Sequence, residues 1–340
     1  MTPAAAGGAD VQESLARAAQ AGIHRLPIPT PFLVGRINCY LLEDRPLTLI
    51  DTGPNSGKSL DELERALAER GHAIEDLELI VLTHQHMDHV GLLEILARRS
   101  GAEVAALDLL APYLENFSAS ATADDEFSQN VMRRNGIPSD VVAVLSAVGA
   151  AFRAFGSSGH VSRQLRDGES LHWRERSLRV LHRPGHSPSD TIFWDEQRRI
   201  LIAGDHLLAH ISSNPLLSRP LRPESDAQPH ALLDYLDSLQ ATRELPAELV
   251  LSGHGEPIVD HVALIDERVR MHQRRARRIL AMLADGPLSG YEIALRMWGN
   301  IAVTQAYLTL SEVLGHLDLL AREGRVHEQE RDGMVRFAAT

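Results

Sequence analysis

Six consecutive residues, His84-Gln85-His86-Met87-Asp88-His89, limit what this chain can become more than any other stretch. They follow directly on the apolar run 77–83, whose length and Ile/Val/Leu content predict a buried strand. Three imidazoles and a carboxylate at the end of such a strand cost free energy unless something satisfies them. A bound metal ion would. The single cysteine, Cys39, excludes an intramolecular disulfide and every thiolate-based zinc site, so the donors must be His, Asp or Glu.

The rest of the pattern supplies a frame for such a site. Strand-like segments 37–42 and 47–50 flank the turn 43–46, which predicts a hairpin. Residues 59–70 read as a helix with Leu60, Leu63, Ala66 and Leu67 on one face, and 92–99 as another. Strand and helix alternate with donors at strand ends, which predicts an α/β sandwich. Residues 107–162 break the rhythm and read as a helical insertion, closed by a flexible link at Gly156-Ser157-Ser158-Gly159. Strands resume at 177–181, 191–194, 199–203 and 249–252. From 261 a long helix, two further helices and a terminal hairpin around Arg331-Asp332-Gly333 predict a small winged-helix-like domain over 261–340, with 23–260 as the main domain. Residues 1–22, rich in Ala and Gly, are expected to be loosely held.

Three separated positions share the look of the histidine cluster: His186 in Pro184-Gly185-His186, Asp205 in Ala203-Gly204-Asp205-His206, and His254 in Ser252-Gly253-His254-Gly255. Each follows an apolar run or a glycine turn, where loops on a rigid sheet carry function.

On Leu49-Ile50-Asp51-Thr52-Gly53, 83–89, His186, Asp205 and His254, the chain resembles the metallo-β-lactamase-fold hydrolase superfamily, over about residues 38–257. The nearest likeness is to its glyoxalase-II-like and lactonase-like branch. The resemblance implies an αββα sandwich of class α/β and two divalent metal ions, zinc foremost, with iron or manganese as alternatives. Carried over by position, it implies that His84, His86 and His186 hold one ion. Asp88, His89 and His254 would hold the other, with Asp205 between them. Residues i and i+2 of extended chain point the same way, which suits His84 and His86 to one ion. A helix beginning near Asp88 would disfavour imidazolium and keep His89 neutral. Asp51 is expected to orient the ligand loop from behind. His182 is expected to be structural, while His206 and His210 stay undecided.

The implied reaction is attack of a bridging hydroxide on an ester, thioester or lactone carbonyl, with Asp88 taking the attacking proton. The expected partner is a small acyl substrate, with the insertion as a lid or as ordinary packing, and Tyr113 as an oxyanion or leaving-group donor. Departures weigh against a glutathione thioester: Leu92 stands where the family often has a second glycine, and the C-terminal part does not match glyoxalase II.

The second reading is a phosphodiesterase or endoribonuclease, supported by Arg268, Arg270, Arg274, Arg275, Arg277 and Arg278. A net charge of −12 opposes polyanion binding, and the arginines also fit the solvated face of an amphipathic helix. A third, non-enzymatic regulator is disfavoured by the complete donor set. The C-terminal unit also suits homodimer formation or the shaping of the pocket mouth. No apolar stretch approaches a membrane span, no signal peptide is seen, and a cytoplasmic protein is expected.

Overall fold

The computed structural model describes residues 8–222 and 229–340. Its aliphatic segments pair into two large sheets. The first contains β1 (Ile23–Ile28), β2 (Ile37–Leu42), β3 (Thr48–Ile50), β4 (Leu79–Val81), β5 (Glu103–Leu107) and β6 (Arg163–Leu165), in that spatial order. β1 to β3 pair antiparallel, and β3 to β6 parallel. The second contains β7 (Ser170–His172), β8 (Ser177–His182), β9 (Thr191–Asp195), β10 (Ile200–Gly204) and β11 (Leu249–Ser252), in spatial order β11-β10-β9-β8-β7. Its neighbours are antiparallel except β10 and β11, which run parallel.

Side chains alternate across each strand, and the alternation builds the layers. Tyr40, Leu42, Ile50 and Val81 meet Val180, Phe193, Ile202 and Leu251 between the sheets. Cys39 and Leu41, one residue out of phase with Tyr40 and Leu42, face outward. There Leu63 and Leu67 of α2 (Gly57–Ala68) cover them, beside α3 (Met87–Val90) and α4 (Leu93–Ser100). On the far side, Trp194, Leu201 and Val250 lie under α8 (Ala231–Arg243) and α9 (His261–Met282). The order is helix, sheet, sheet, helix, as expected.

The N-terminal expectation fails in part. Residues 8–20 form a helix, α1 (Gly8–Gln20), with Val11 and Ala18 buried and Arg17 paired to Glu248 at 2.6 Å. The rest of that segment, 1–7, lies outside the described residues.

The insertion consists of α5 (Ala111–Glu115), α6 (Phe117–Arg134) and α7 (Ser139–Phe152). Its closing link is not loose. Gly156 and Ser157 are buried, and a Cβ on Gly156 would strike the Phe117 ring. The C-terminal region adds α10 (Gly290–Trp298), α11 (Ile301–Thr304), α12 (Ala306–Arg322) and the hairpin β12 (Val326–Arg331) and β13 (Met334–Ala339). A capping box between Ser289 and Glu292 starts α10. Ile279, Ile293, Val313, Leu317, Leu320 and Phe337 form its core. The boundary expected at 261 falls on a shared helix: Leu264 and Ile265 of α9 pack with the second sheet, whereas Ala276 and Ile279 belong to the C-terminal core. Met132, Ile137 and Val142 of the insertion pack on Ala306 and Leu310 of α12, joining the two added regions.

Candidate metal centre

The centre is built on a knot around Asp51. This residue directly follows β3 with a positive φ of 58°, a conformation Asp tolerates better than most residues. Its Oδ1 accepts from the Thr83 amide at 2.8 Å. Its Oδ2 accepts from the Thr83 hydroxyl at 2.8 Å and from His89 Nδ1 at 2.7 Å. The Thr83 hydroxyl in turn accepts from His84 Nδ1 at 3.0 Å. One carboxylate thus fixes the tautomer and tilt of His89 directly and of His84 through Thr83, leaving both Nε2 lone pairs aimed inward.

The backs of two other rings are tied in the same way. His186 Nδ1 donates to the Asn214 carbonyl at 3.1 Å, and His254 Nδ1 to the Arg36 carbonyl at 2.9 Å. The fronts then converge. His86 Nδ1 lies 3.0 Å from both His84 Nε2 and His186 Nε2. One ring nitrogen carries at most one proton, so it cannot donate to both. Asp205 Oδ1 lies 3.5 Å from His89 Nε2, while its Oδ2 lies 3.5 Å from His254 Nε2 and 3.7 Å from His186 Nε2. His254 Nε2 lies 3.2 Å from Asp88 Oδ2. All seven residues expected from the sequence therefore meet. Their donor atoms fall into three groups: His84, His86 and His186; His84, His89 and Asp205; Asp88, His89 and His254. The tight packing explains Gly253, where a Cβ would strike the Asp205 carboxylate.

Three buried atoms here have no hydrogen-bond partner: His89 Nε2, His254 Nε2 and Asp205 Oδ1. Orphans of this kind are expensive, and here they belong to residues that converge on one point. Burial pushes the His84 pKa well below its ordinary value, and takes that of His86 to about 3, with His186 adding to the effect. For His89 and His254 burial also opposes charge. Asp51, Asp205 and Asp88 nevertheless lift His89 well above the usual value, and Asp205 and Asp88 lift His254. Burial would raise Asp205, yet His254 and His89 hold it well below the carboxylate range. The carboxylates thus favour positive charge at this point, and a metal ion is a cation that can supply it while the imidazoles ligate in their neutral form. The helix end itself does little to set the charge of His89. α3 has four residues, too few for a large dipole, and three carboxylates outweigh it.

Other expectations resolve individually. His182 Nε2 donates to the Pro188 carbonyl at 2.9 Å and braces the His186 loop. His206 is fully buried and turns to Thr242 Oγ1 at 2.9 Å, away from the centre, and the exposed His210 pairs with Glu256 at 2.9 Å. Tyr113 is no free donor, because its hydroxyl is committed to Asp124. The arginine run is not one solvated face: Arg268 is buried and Arg275 pairs with Glu312, while Arg270, Arg274, Arg277 and Arg278 are exposed.

A second buried group, His272, Glu312 and His316, carries no local signal in the sequence. His316 Nδ1 donates to the Glu312 carbonyl at 2.6 Å, and its Nε2 accepts from His272 Nδ1 at 3.2 Å. Arg275 takes the Glu312 carboxylate.

An αββα sandwich with imidazoles and carboxylates converging at the strand ends defines a metal-dependent hydrolase scaffold. The metallo-beta-lactamase superfamily profile matches residues 33–254, and the chain belongs to that superfamily. It is 33% identical over 310 residues to the probable metallo-hydrolase YqjP of Bacillus subtilis, covering 91% of this chain and 95% of that one. A metallo-beta-lactamase family protein of Thermus thermophilus superimposes with a TM-score of 0.77 at 29% identity, covering 94% and 99% of the two chains. An atrochrysone carboxyl ACP thioesterase of Pseudocercospora fijiensis is 22% identical over 325 residues, 93% of this chain and 77% of that one. Membership implies divalent metal ions. The five imidazoles and two carboxylates, with their inward orphans, fit such ions. Among the described residues no helix is long and apolar enough to cross a membrane.

Proposed function

We propose that the protein is a dinuclear metal-dependent hydrolase of ester, thioester or lactone carbonyls. His84, His86 and His186 would hold one ion and Asp88, His89 and His254 the other, with Asp205 between them. Zinc is the ion this all-nitrogen-and-oxygen, thiolate-free set suits best, with iron and manganese as alternatives. Such ions supply a nucleophile at neutral pH, by lowering the pKa of water to about 7, and polarise a carbonyl. The observation that carries the reading is the set of orphaned inward atoms, His89 Nε2, His254 Nε2 and Asp205 Oδ1.

The chain's own residues complete the site. His254 Nε2 lies 3.2 Å from the Asp88 carboxylate, whose pKa is lowered against its burial first by His89 and then by His254. Asp88 is thereby kept as an anion that accepts a proton from the attacking group. The rim favours an apolar acyl group. Leu33 is 94% exposed on the loop whose Arg36 carbonyl braces His254, and Ile211 is 48% exposed on the strand-to-helix loop that follows Asp205. Phe32 of the first loop packs on Phe152 and Phe155 of the insertion, with ring centroids at 5.4 and 6.1 Å, which supports reading the insertion as a wall. The thioesterase relative points the same way.

We read the C-terminal unit as winged-helix-like, supported by its helices, its hairpin and the bridge from Leu288 to Phe337. Nucleic-acid recognition by such a unit needs a helix free to enter a groove. Here α12 is largely buried, with Thr309, Val313, Gly315, His316, Leu319 and Leu320 all covered. A small-molecule substrate is therefore favoured over RNA.

The test is a screen of zinc-loaded protein on p-nitrophenyl esters, acyl-CoA and glutathione thioesters and lactones, beside bis-p-nitrophenyl phosphate and single-stranded RNA. Turnover of carbonyl substrates that falls by on the order of 10³-fold in Asp88→Ala supports the reading. Cleavage of the phosphate substrates alone overturns it.

A further inference from the structure

The segment 205–217 runs as a strap between the metal centre and the C-terminal helices. Its inner side serves the site: Asp205 enters the centre, and the Asn214 carbonyl holds the back of His186. Its outer side is held from elsewhere. The Tyr235 hydroxyl of α8 donates to the His206 carbonyl at 3.0 Å. The Asn214 amide donates to the Leu308 carbonyl of α12 at 3.1 Å, and the Tyr307 hydroxyl of α12 donates to the Leu217 carbonyl.

The strongest hold comes from Arg268 of α9. Arg268 is 8% exposed, and one of its guanidinium nitrogens reaches three strap carbonyls, Leu208 at 3.4 Å, Ala209 at 3.2 Å and Ile211 at 3.2 Å. No carboxylate lies within ion-pair distance of it among the described residues. Buried charges are ordinarily paired with opposite charge, because desolvation is costly. A buried arginine balanced by backbone dipoles alone fixes the shape of those dipoles' segment, since any strap movement strands the charge.

We propose that Arg268 is a positioning residue for the metal centre: it locks the strap that presents Asp205 and braces His186, so the shared helix α9 sets metal affinity. The proposal rests on the seven residues forming a metal centre, and not on which bond the enzyme cleaves. Groups that orient metal ligands from behind are worth about 10–100-fold in metal affinity. Here that role falls to a guanidinium on α9, the helix shared between the sandwich and the C-terminal unit.

The experiment measures zinc affinity of full-length protein by competition with a chromophoric chelator, and the visible spectrum of the cobalt(II)-substituted form. Thermal unfolding of metal-free protein is followed alongside. Arg268→Met is expected to weaken zinc binding about 10–100-fold and to change the cobalt spectrum. Arg268→Lys, whose ammonium can still donate to the strap, restores part of the loss. Tyr307→Phe deletes one hydroxyl at the strap's far end and lowers affinity in the same direction by a smaller factor; it carries the test if Arg268→Met does not fold. Unchanged zinc affinity and cobalt spectrum in folded Arg268→Met, or in Tyr307→Phe where that variant stands alone, overturns the proposal. So does a wild-type protein that binds no zinc. Tight zinc binding that depends on Arg268, without hydrolysis of any ester, thioester or lactone, would refute the proposed reaction and leave this inference standing.

Discussion

Among the described residues, two buried clusters of histidine and carboxylate solve the same problem in opposite ways. At the seven-residue centre the back nitrogens of His84, His89, His186 and His254 are tied to acceptors, so the lone pairs face one another. At the second cluster His316 Nε2 accepts from His272 Nδ1, and Arg275 neutralises Glu312. One cluster spends its hydrogen bonds outward and leaves a hole for charge. The other closes on itself, with only the outer nitrogen, His272 Nε2, unpartnered. Donor type is shared; what differs is where the acceptors stand. Metal capacity lies in the placing of the acceptors behind the ligands, not in the ligands alone.

The largest expected effect breaks that comparison most directly. Asp205→Ala should remove bound zinc from the centre and lower carbonyl hydrolysis by on the order of 10³-fold or more. His272→Ala should leave zinc per chain and turnover close to wild type. Metal analysis of the two purified variants, with ester or thioester assays, reads both. Loss of one zinc equivalent in His272→Ala would show that the second cluster also holds an ion, and the distinction drawn from its closed hydrogen bonds would fall.

A smaller effect is expected from the residue behind the ligands. Asp51→Asn keeps the shape of the knot but replaces one of the two oxygens that receive Thr83 and His89 with an amide. The tautomer of His89 is then no longer enforced, and zinc affinity should drop by about 10–100-fold with the fold intact. Chelator competition measures this. An affinity equal to wild type would mean that the Asp51 knot holds the backbone only.

The metal centre was legible in the sequence because its signal is local. His84, His86, Asp88 and His89 are crowded into six residues, and His186, Asp205 and His254 each follow a glycine. The hairpin β2–β3, the strands β8 to β11 and the helix α9 were legible for a similar reason, since each carries its pattern within one short window. α8 was not. It packs Leu232, Tyr235 and Leu239 against the second sheet and Leu233 and Leu236 toward the C-terminal core, so no single apolar stripe marks it. Arg268 was misread as part of a solvated face, because spacing cannot show that a neighbouring loop brings three carbonyls to one turn of helix. The second cluster was invisible too: His272 and His316 lie 44 residues apart and meet only when α9 packs on α12.

The smallest effect concerns that second cluster and its protons. Burial is the main cause holding the His272 pKa down at about 2, with His316, Arg275 and Arg268 adding to it, and burial also lowers His316. The native state therefore refuses a proton that the unfolded chain accepts near the ordinary value of 6.5. The stabilisation is complete above that pH and is lost as pH falls toward the folded value, at up to roughly 1.4 kcal/mol per pH unit. His272→Phe keeps a ring beside Tyr235 but strands His316 Nε2, which costs about 1–3 kcal/mol at pH 7.5. Having one less histidine to exclude from protonation, the variant should lose stability more slowly on acidification. The gap between wild type and variant, read by chemical denaturation of metal-free protein, should then narrow by roughly 1 kcal/mol between pH 7.5 and 5.5. A gap that stays constant would mean that His272 exchanges protons with solvent as freely in the folded protein as in the unfolded chain. The cluster would then not be the closed, neutral relay that sets it apart from the metal centre.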